Sequence, residues 1–332
     1  MNRSVEDDTA FDRSRDYNRG MPKLLLLSPD HDEYKRLLES AQLPDLEIVT
    51  DPRQSDIVLG APRSIRDALP QLTRVKWIQS IYAGVESLVD SGKRYDFVLT
   101  NARSVFGELM SEYVFGYLLF LEKKMLERIA AQQARQWRRT ESGVLRGKTL
   151  GLLGVGSIGA HLAGTAKHFG MQVKGFTRAS ESSSMVDRYF HPLPGPSPRG
   201  RESLIDFAEG LDYLVCVLPR TKDTNKIVNE TLLDALPSHA VFVNVGRGNA
   251  VDEPALARAL NEGRIAAAVL DVFDQEPLPT EHPFWVTPNL YMTYHTSAIS
   301  YPEDITRVFI ENYHLYLEGK PLKHIVEFER GY

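Results

Sequence analysis

Gly154, Gly156 and Gly159 stand in the run Leu150-Gly-Leu-Leu-Gly-Val-Gly-Ser-Ile-Gly-Ala-His-Leu-Ala163, behind a short apolar stretch and ahead of an amphipathic one. This spacing suits the binding of phosphate. Gly154 lets the chain turn sharply out of a strand, Gly156 lets the backbone approach a pyrophosphate, and Gly159 lets the following helix pack tightly on the strand. Ser157 and Ile158 open that helix, where unsatisfied N–H groups and the helix dipole favour an anion. Three glycines alone would only close a loop. With a strand before them and a helix after, they read as a dinucleotide-binding turn.

The far end of a dinucleotide is read about twenty residues further on, where an acid normally hydrogen-bonds the adenosine ribose. Here that position is Thr177, followed by Arg178. A carboxylate would repel a 2′-phosphate, whereas a hydroxyl beside a guanidinium can hold one, so the pair favours NADP(H) over NAD(H). In the alternative, Arg178 is a solvated loop charge and Glu181 takes the ribose. A second small-residue turn lies in Ser80-Ile-Tyr-Ala-Gly-Val-Glu86, at the end of an apolar run. Its N–H groups could hold a carboxylate, or it is a plain strand-to-helix turn.

Such turns need parallel sheets to carry them, and the 332 residues suggest two domains. Residues 1–20 are polar, dense in charges of both signs and poor in apolar residues, and read as a tail or as an arm on a partner subunit. Strands are expected at 24–27, 46–49, 57–59, 75–81 and 97–100, alternating with helices at 32–41 and 65–69. The stretch 108–135 reads as one long helix, or two in tandem, crossing from the first unit to the second. After the glycine turn come a strand at 173–176, a long loop at 180–201, and strands at 213–218, 240–245, 266–272 and 290–293. Helices are expected between them at 230–236 and 253–262, and a closing helix from Pro302 ends at Gly319. The alternation predicts an α/β fold of two doubly wound parallel-sheet (Rossmann-like) domains. The first is discontinuous: 21–112 plus 299–332, flavodoxin-like and substrate-binding. The second, 113–298, is the dinucleotide-binding domain.

Composition narrows the class further. With 42% hydrophobic and 25% charged residues, the chain is ordinary for a globular protein, and a net charge of −5 argues against a nucleic-acid partner. A single cysteine, Cys216, cannot form an internal disulfide and sits in an apolar run as a core residue. The apolar run 113–121 is bounded by Glu112 and Glu122 and is too short to span a bilayer. The N-terminus has no signal-peptide core, and its acids speak against a transit peptide. A cytoplasmic protein with no membrane contact and no metal site is expected.

Three further segments carry the chemistry: Val243-Asn-Val-Gly-Arg-Gly248, Leu270-Asp-Val-Phe-Asp-Gln-Glu-Pro-Leu-Pro279 and Tyr294-His-Thr-Ser-Ala298. Each lies at or just past an expected strand end. In order and spacing they resemble the D-isomer-specific 2-hydroxyacid dehydrogenase family, most closely its glyoxylate/hydroxypyruvate reductase group. The residue types suit reduction of a 2-keto acid. Arg247 offers a fork of donors for the substrate carboxylate and neighbouring carbonyl. His295, with an ordinary pKa of about 6.5, can donate a proton, and Glu276 would orient its ring and keep it charged.

The resemblance implies further roles. Asp271 matches the acid that accepts from the nicotinamide carboxamide. Leu218, Pro219, Val245 and Gly246 match the segments flanking the nicotinamide, and Thr224 joins the cofactor contacts. Ala83, Gly84 and Val85 match the loop that binds the substrate carboxylate together with Arg247 and His295, while Tyr82 beside them is a candidate for the pocket around the substrate side chain, or for core or interface. Met110, Trp137 and Trp285 are candidates for the substrate side-chain pocket, or for core or interface. Two departures stand out: the 180–201 loop is long, and Tyr294 occupies a position where proline is common. The expectation is a homodimeric NAD(P)H-dependent enzyme that reduces a small 2-keto acid to the D-2-hydroxy acid. The alternatives are an NAD-linked dehydrogenase of another D-2-hydroxy acid, or a dinucleotide-sensing scaffold of the corepressor kind.

Overall fold

The computed structural model describes residues 21–89, 96–178, 181, 183–192 and 204–329. The expected tail at 1–20 and part of the expected loop at 180–201 lie outside them. The chain divides into two compact units. The first takes the described residues of Met1–Ile81, Arg94–Asn101 and Pro302–Ile325; the second takes those of Tyr82–Lys93, Ala102–Tyr301 and Val326–Tyr332.

In the first unit five strands, β1 (Lys23–Leu27), β2 (Glu47–Val49), β3 (Ile57–Gly60), β4 (Trp77–Ser80) and β5 (Val98–Thr100), form one parallel sheet in the order β2-β1-β3-β4-β5. That order is the flavodoxin-like one. Strands β3 and β4 are buried along their whole length, as continuous apolar runs in a sheet covered on both faces should be. The C-terminal helix Pro302–Leu317 returns to this unit, which makes it discontinuous. Phe309 stacks on Trp77 with ring centroids 5.0 Å apart, a contact worth about 0.5–1.5 kcal/mol beyond its buried area. Asn312, fully buried, donates to the Gln79 side chain at 3.3 Å and accepts from the Lys323 N–H at 2.7 Å.

The second unit carries β6 (Thr149–Leu153), β7 (Gln172–Phe176), β8 (Arg188–Phe190), β9 (Tyr213–Cys216), β10 (Val241–Asn244), β11 (Ala267–Leu270) and β12 (Leu290–Met292). All pair in parallel in the order β12-β11-β10-β9-β6-β7-β8, and the chain direction of travel reverses between β6 and β9. Ligands of open α/β sheets bind outside the carboxyl ends of the strands at such a switch point.

Two expectations are corrected. The loop at 180–201 contains β8, which pairs with β7 from Lys174↔Arg188 to Phe176↔Phe190. A three-residue edge strand that begins on a charge has too little apolar pattern to be seen in sequence. The stretch 108–135 forms the two tandem helices of the second reading, Gly107–Glu122 and Met125–Gln133, separated where Lys124 takes a left-handed φ of 49°; what changes is the crossing between units. The first does not cross between units. Its Val114, Phe115 and Leu118 pack with Leu162, Ala163 and Ala166 of helix Ser157–His168, so a sequence boundary at 112 falls within a helix that belongs wholly to the second unit. Among the described residues no helix is long and apolar enough to cross a membrane.

Candidate active site

The glycine turn leaves β6 with Gly154 at φ +98°, a left-handed conformation that side chains disfavour. Its N–H donates to Phe176 O at 2.9 Å, tying the turn to β7. A Cβ on Gly159 would lie 2.2 Å from Gly154 O, so helix and turn are in backbone contact there, whereas a Cβ on Gly156 would meet nothing within 4 Å. Helix Ser157–His168 begins without a side-chain cap. Its first N–H groups, those of Ser157 and Ile158 included, are thus available to an anion beside the open face at Gly156. This cradle fits a dinucleotide pyrophosphate.

At the adenosine end Thr177 is buried and held by its backbone, donating from N–H to Phe190 O at 3.0 Å and accepting from His191 Nδ1 at 2.7 Å. Arg178 is half-exposed and lies 3.4 Å from Asp223. Glu181 accepts from His191 at 2.6 Å, and that bond is the main cause raising the His191 pKa. On the other side of the turn, a Cβ on Gly246 would fall 2.7 Å from Leu218 O, so the Leu218-Pro219 and Val245-Gly246 segments touch through their backbones. Thr224 closes the loop after β9, its hydroxyl donating to Pro219 O at 2.7 Å.

The Glu276–His295 pair forms from two neighbouring strand ends. Glu276, in the loop after β11, accepts from Phe273 N–H at 2.9 Å with one oxygen and meets His295 Nδ1 at 2.8 Å with the other. Burial pushes the Glu276 carboxyl up, but the hydrogen bonds from His295 and the Phe273 N–H, with the charges of His295 and Arg247, hold it below its ordinary value. The Glu276 hydrogen bond raises His295, against burial and the repulsion of Arg247. His295 itself sits at φ +58°, a conformation that costs a non-glycine residue about 1–2 kcal/mol. Asp271, 1% exposed at the end of β11, holds the loop in that shape. Its carboxylate accepts from the Thr293 hydroxyl at 2.5 Å and from the N–H groups of Thr296 and Ser297 at 2.8 and 2.9 Å, while its carbonyl accepts from His295 N–H at 2.8 Å.

Arg247 follows β10 and is pinned on two edges. Its Nε donates to Glu86 Oε1 at 2.6 Å and its Nη1 to Gly246 O at 2.7 Å. Its Nη2 lies against Gly84, where a Cβ would come within 1.8 Å. The loop 82–89 therefore belongs with Arg247, and only glycine at 84 leaves room for the guanidinium. Burial works to raise the Glu86 carboxyl; the Arg247 charge and hydrogen bond overcome it and lower it. Gly248 brings the Arg247 loop against the Glu276 loop, since a Cβ there would fall 1.8 Å from the Phe273 carbonyl carbon.

Arg247, Glu276, His295, Ala83 and Gly84 thus lie in one unit with the glycine turn. Tyr82 is half-exposed and Val85 buried. Met110 accepts a 3.4 Å contact from the Ser297 hydroxyl, and Trp285 donates to Pro279 O at 2.8 Å with its ring beside that of Tyr294. Trp137 is fully exposed. Glu86 was not singled out from sequence; its signal was a carboxylate two residues past Gly84. Tyr113, whose hydroxyl meets Thr293 at 2.6 Å, gave no signal within its apolar run.

A family model for the NAD binding domain of D-isomer specific 2-hydroxyacid dehydrogenases matches residues 115–297. The chain is 29% identical over 290 residues to glyoxylate/hydroxypyruvate reductase A of Yersinia enterocolitica, covering 85% of this chain and 89% of that one. It is similar to a solved D-isomer specific 2-hydroxyacid dehydrogenase family protein of Aeromonas salmonicida, with 39% identity, a TM-score of 0.84, and coverage of 93% of this chain and 100% of the other. A D-isomer specific 2-hydroxyacid dehydrogenase of Xanthobacter autotrophicus Py2, solved in complex with NADPH and MES, is 28% identical at a TM-score of 0.83, covering 94% and 100%.

Proposed function

Because the chain belongs to the D-isomer specific 2-hydroxyacid dehydrogenase family, we propose that it uses NADPH to reduce a small 2-keto acid, of the glyoxylate or hydroxypyruvate kind, to the D-2-hydroxy acid. It is an oxidoreductase carrying the family's NAD binding domain. The observation that carries the finer reading is the His295–Glu276 pair at the same end of the sheet as a two-edge-pinned Arg247 and the glycine turn.

The bound nicotinamide would supply the hydride. The turn at Gly154, Gly156 and Gly159 would hold the pyrophosphate, and Leu218, Pro219, Val245 and Gly246 would flank the nicotinamide. Asp271 spends three acceptor positions on the loop; a carboxylate has about four, and the remaining one would serve the carboxamide. Arg247, with the backbone of Ala83, Gly84 and Val85, would take the substrate carboxylate and polarise the ketone. His295 would donate a proton to the ketone oxygen, and Glu276 would keep its ring oriented and charged. The NADPH preference is supported by Thr177-Arg178, by the engagement of Glu181 with His191, and by the Xanthobacter relative's complex with NADPH. The substrate class is supported by the name of the Yersinia relative.

Exposed Met125, Leu126, Ile129 and Trp137 favour a homodimer, and the one buried free thiol, Cys216, pushed up to about 12 by burial, suits the cytoplasm. The test is oxidation of NADPH and NADH by purified protein over a panel of 2-keto acids. Turnover with glyoxylate or hydroxypyruvate and NADPH is expected; no turnover anywhere on the panel would end the proposal.

A further inference from the structure

The loop that carries His295 is also tied to a helix that has no part in the chemistry described so far. Thr293 Oγ1 donates to Asp271 Oδ1 at 2.5 Å, and Tyr113 Oη lies 2.6 Å from the same Thr293 oxygen. A hydroxyl has one proton. Since that of Thr293 goes to Asp271, the contact with Tyr113 must be donated by the phenol. The order is fixed: Tyr113 to Thr293 to Asp271. Burial, with the Asp271 charge adding to it, pushes the Tyr113 phenol well above its ordinary value, so the donor keeps its proton.

A second tie runs to the same helix, from the Ser297 hydroxyl to Met110 Sδ at 3.4 Å. These two ties bracket His295, whose left-handed backbone needs outside support. A neighbouring face of helix Gly107–Glu122 packs on the dinucleotide helix Ser157–His168: a Cβ on Gly107 would meet the His161 ring at 2.9 Å, and Ser111 Oγ lies 3.0 Å from His161 Nδ1. One helix therefore touches both the element that opens on the glycine turn and the loop that presents the proton donor.

We infer that Tyr113, acting through Thr293 and Asp271, is a positioning residue that fixes His295 relative to the dinucleotide turn. The brace sets the distance between hydride and proton delivery and acts on turnover, not on binding of either substrate. The role assigned to His295 rests on the function proposed above; the brace itself can be read without it.

The test compares Tyr113→Phe, Thr293→Val, Thr293→Ser and the double variant Tyr113→Phe/Thr293→Val with the wild type. It follows NADPH oxidation with glyoxylate, and deuterium exchange over residues 293–297. Loss of one neutral hydrogen bond corresponds to about a threefold to tenfold loss of kcat. Tyr113→Phe should show that loss with both KM values within about twofold. Thr293→Val should lose at least as much, Thr293→Ser should recover most of it, and the double variant should be no worse than Thr293→Val, because the phenol acts only through the threonine. Exchange over 293–297 should speed up in Tyr113→Phe and Thr293→Val. Unchanged kcat and exchange in Tyr113→Phe, or losses that multiply in the double variant, would overturn the brace. A wild type inert on all 2-keto acids would sink the proposed function instead, and exchange alone would then decide the brace.

Discussion

The glycine turn and the His295 loop stand on one parallel sheet, yet they are held in opposite ways. The turn is a backbone structure, made by Gly154 in a left-handed conformation and by Gly159 in contact with Gly154 O. Apart from the tie of the Gly154 N–H to Phe176 O, every part of it lies within six residues of chain. The His295 loop is held by side chains from far away: Glu276, Asp271 and, through Thr293, Tyr113. A phosphate needs only N–H groups at a fixed spacing, which local sequence can encode. A proton donor needs a particular charge, ring orientation and distance from the hydride, and those come from tertiary contacts.

That contrast can be broken at its strongest point by removing the proposed proton donor. His295→Ala should cut kcat by about 10²–10⁴-fold while the dissociation constant for NADPH, read by fluorescence titration, moves less than about threefold. Parallel loss of NADPH binding would mean that loop and turn are not separable. Gly159→Ala should do the reverse. Its Cβ would meet a backbone oxygen that cannot swing aside, so a stability loss of about 1–3 kcal/mol and weakened NADPH binding should appear together, read by denaturant unfolding and titration. An unaltered NADPH affinity in a folded Gly159→Ala protein would refute the close-packing role.

Glu276→Gln sharpens the acid side. Glu276 holds the His295 pKa above its ordinary value, and the proposed reduction would require the protonated ring, so kcat should fall as pH rises through the folded-state pKa of His295. Replacing the carboxylate removes the chief cause of that rise, so the limb should move to lower pH, and kcat at neutral pH should drop about tenfold or more. A limb that stays in place would detach Glu276 from the histidine. The smallest effect is expected at the adenosine end, where Arg178→Ala should weaken NADPH about tenfold and NADH by less than twofold. Equal losses would remove its phosphate role.

The same contrast decides what could be read from sequence. The turn, the alternation of strands and helices, and the strand-end positions of Arg247, Glu276 and His295 follow from spacing and apolar runs, which act over a few residues. Strand β8 is not legible in the sequence because Arg188–Phe190 is short and starts on a charge; its place is set by pairing with β7. The break at Lys124 carries no glycine or proline to announce it. Glu86 and Tyr113 acquire their roles only when the fold sets them against Arg247 and Thr293, 161 and 180 residues away in the chain. The 1.8 Å approach of Arg247 to a Gly84 Cβ position likewise exists only in the folded chain.

The most direct test of NADPH-linked, D-selective reduction is chiral analysis of the glycerate formed from hydroxypyruvate, measured beside the NADPH consumed. One D-glycerate per NADPH is the predicted result. L-glycerate, or NADPH left unoxidised in the presence of hydroxypyruvate, glyoxylate and their homologues, would contradict it.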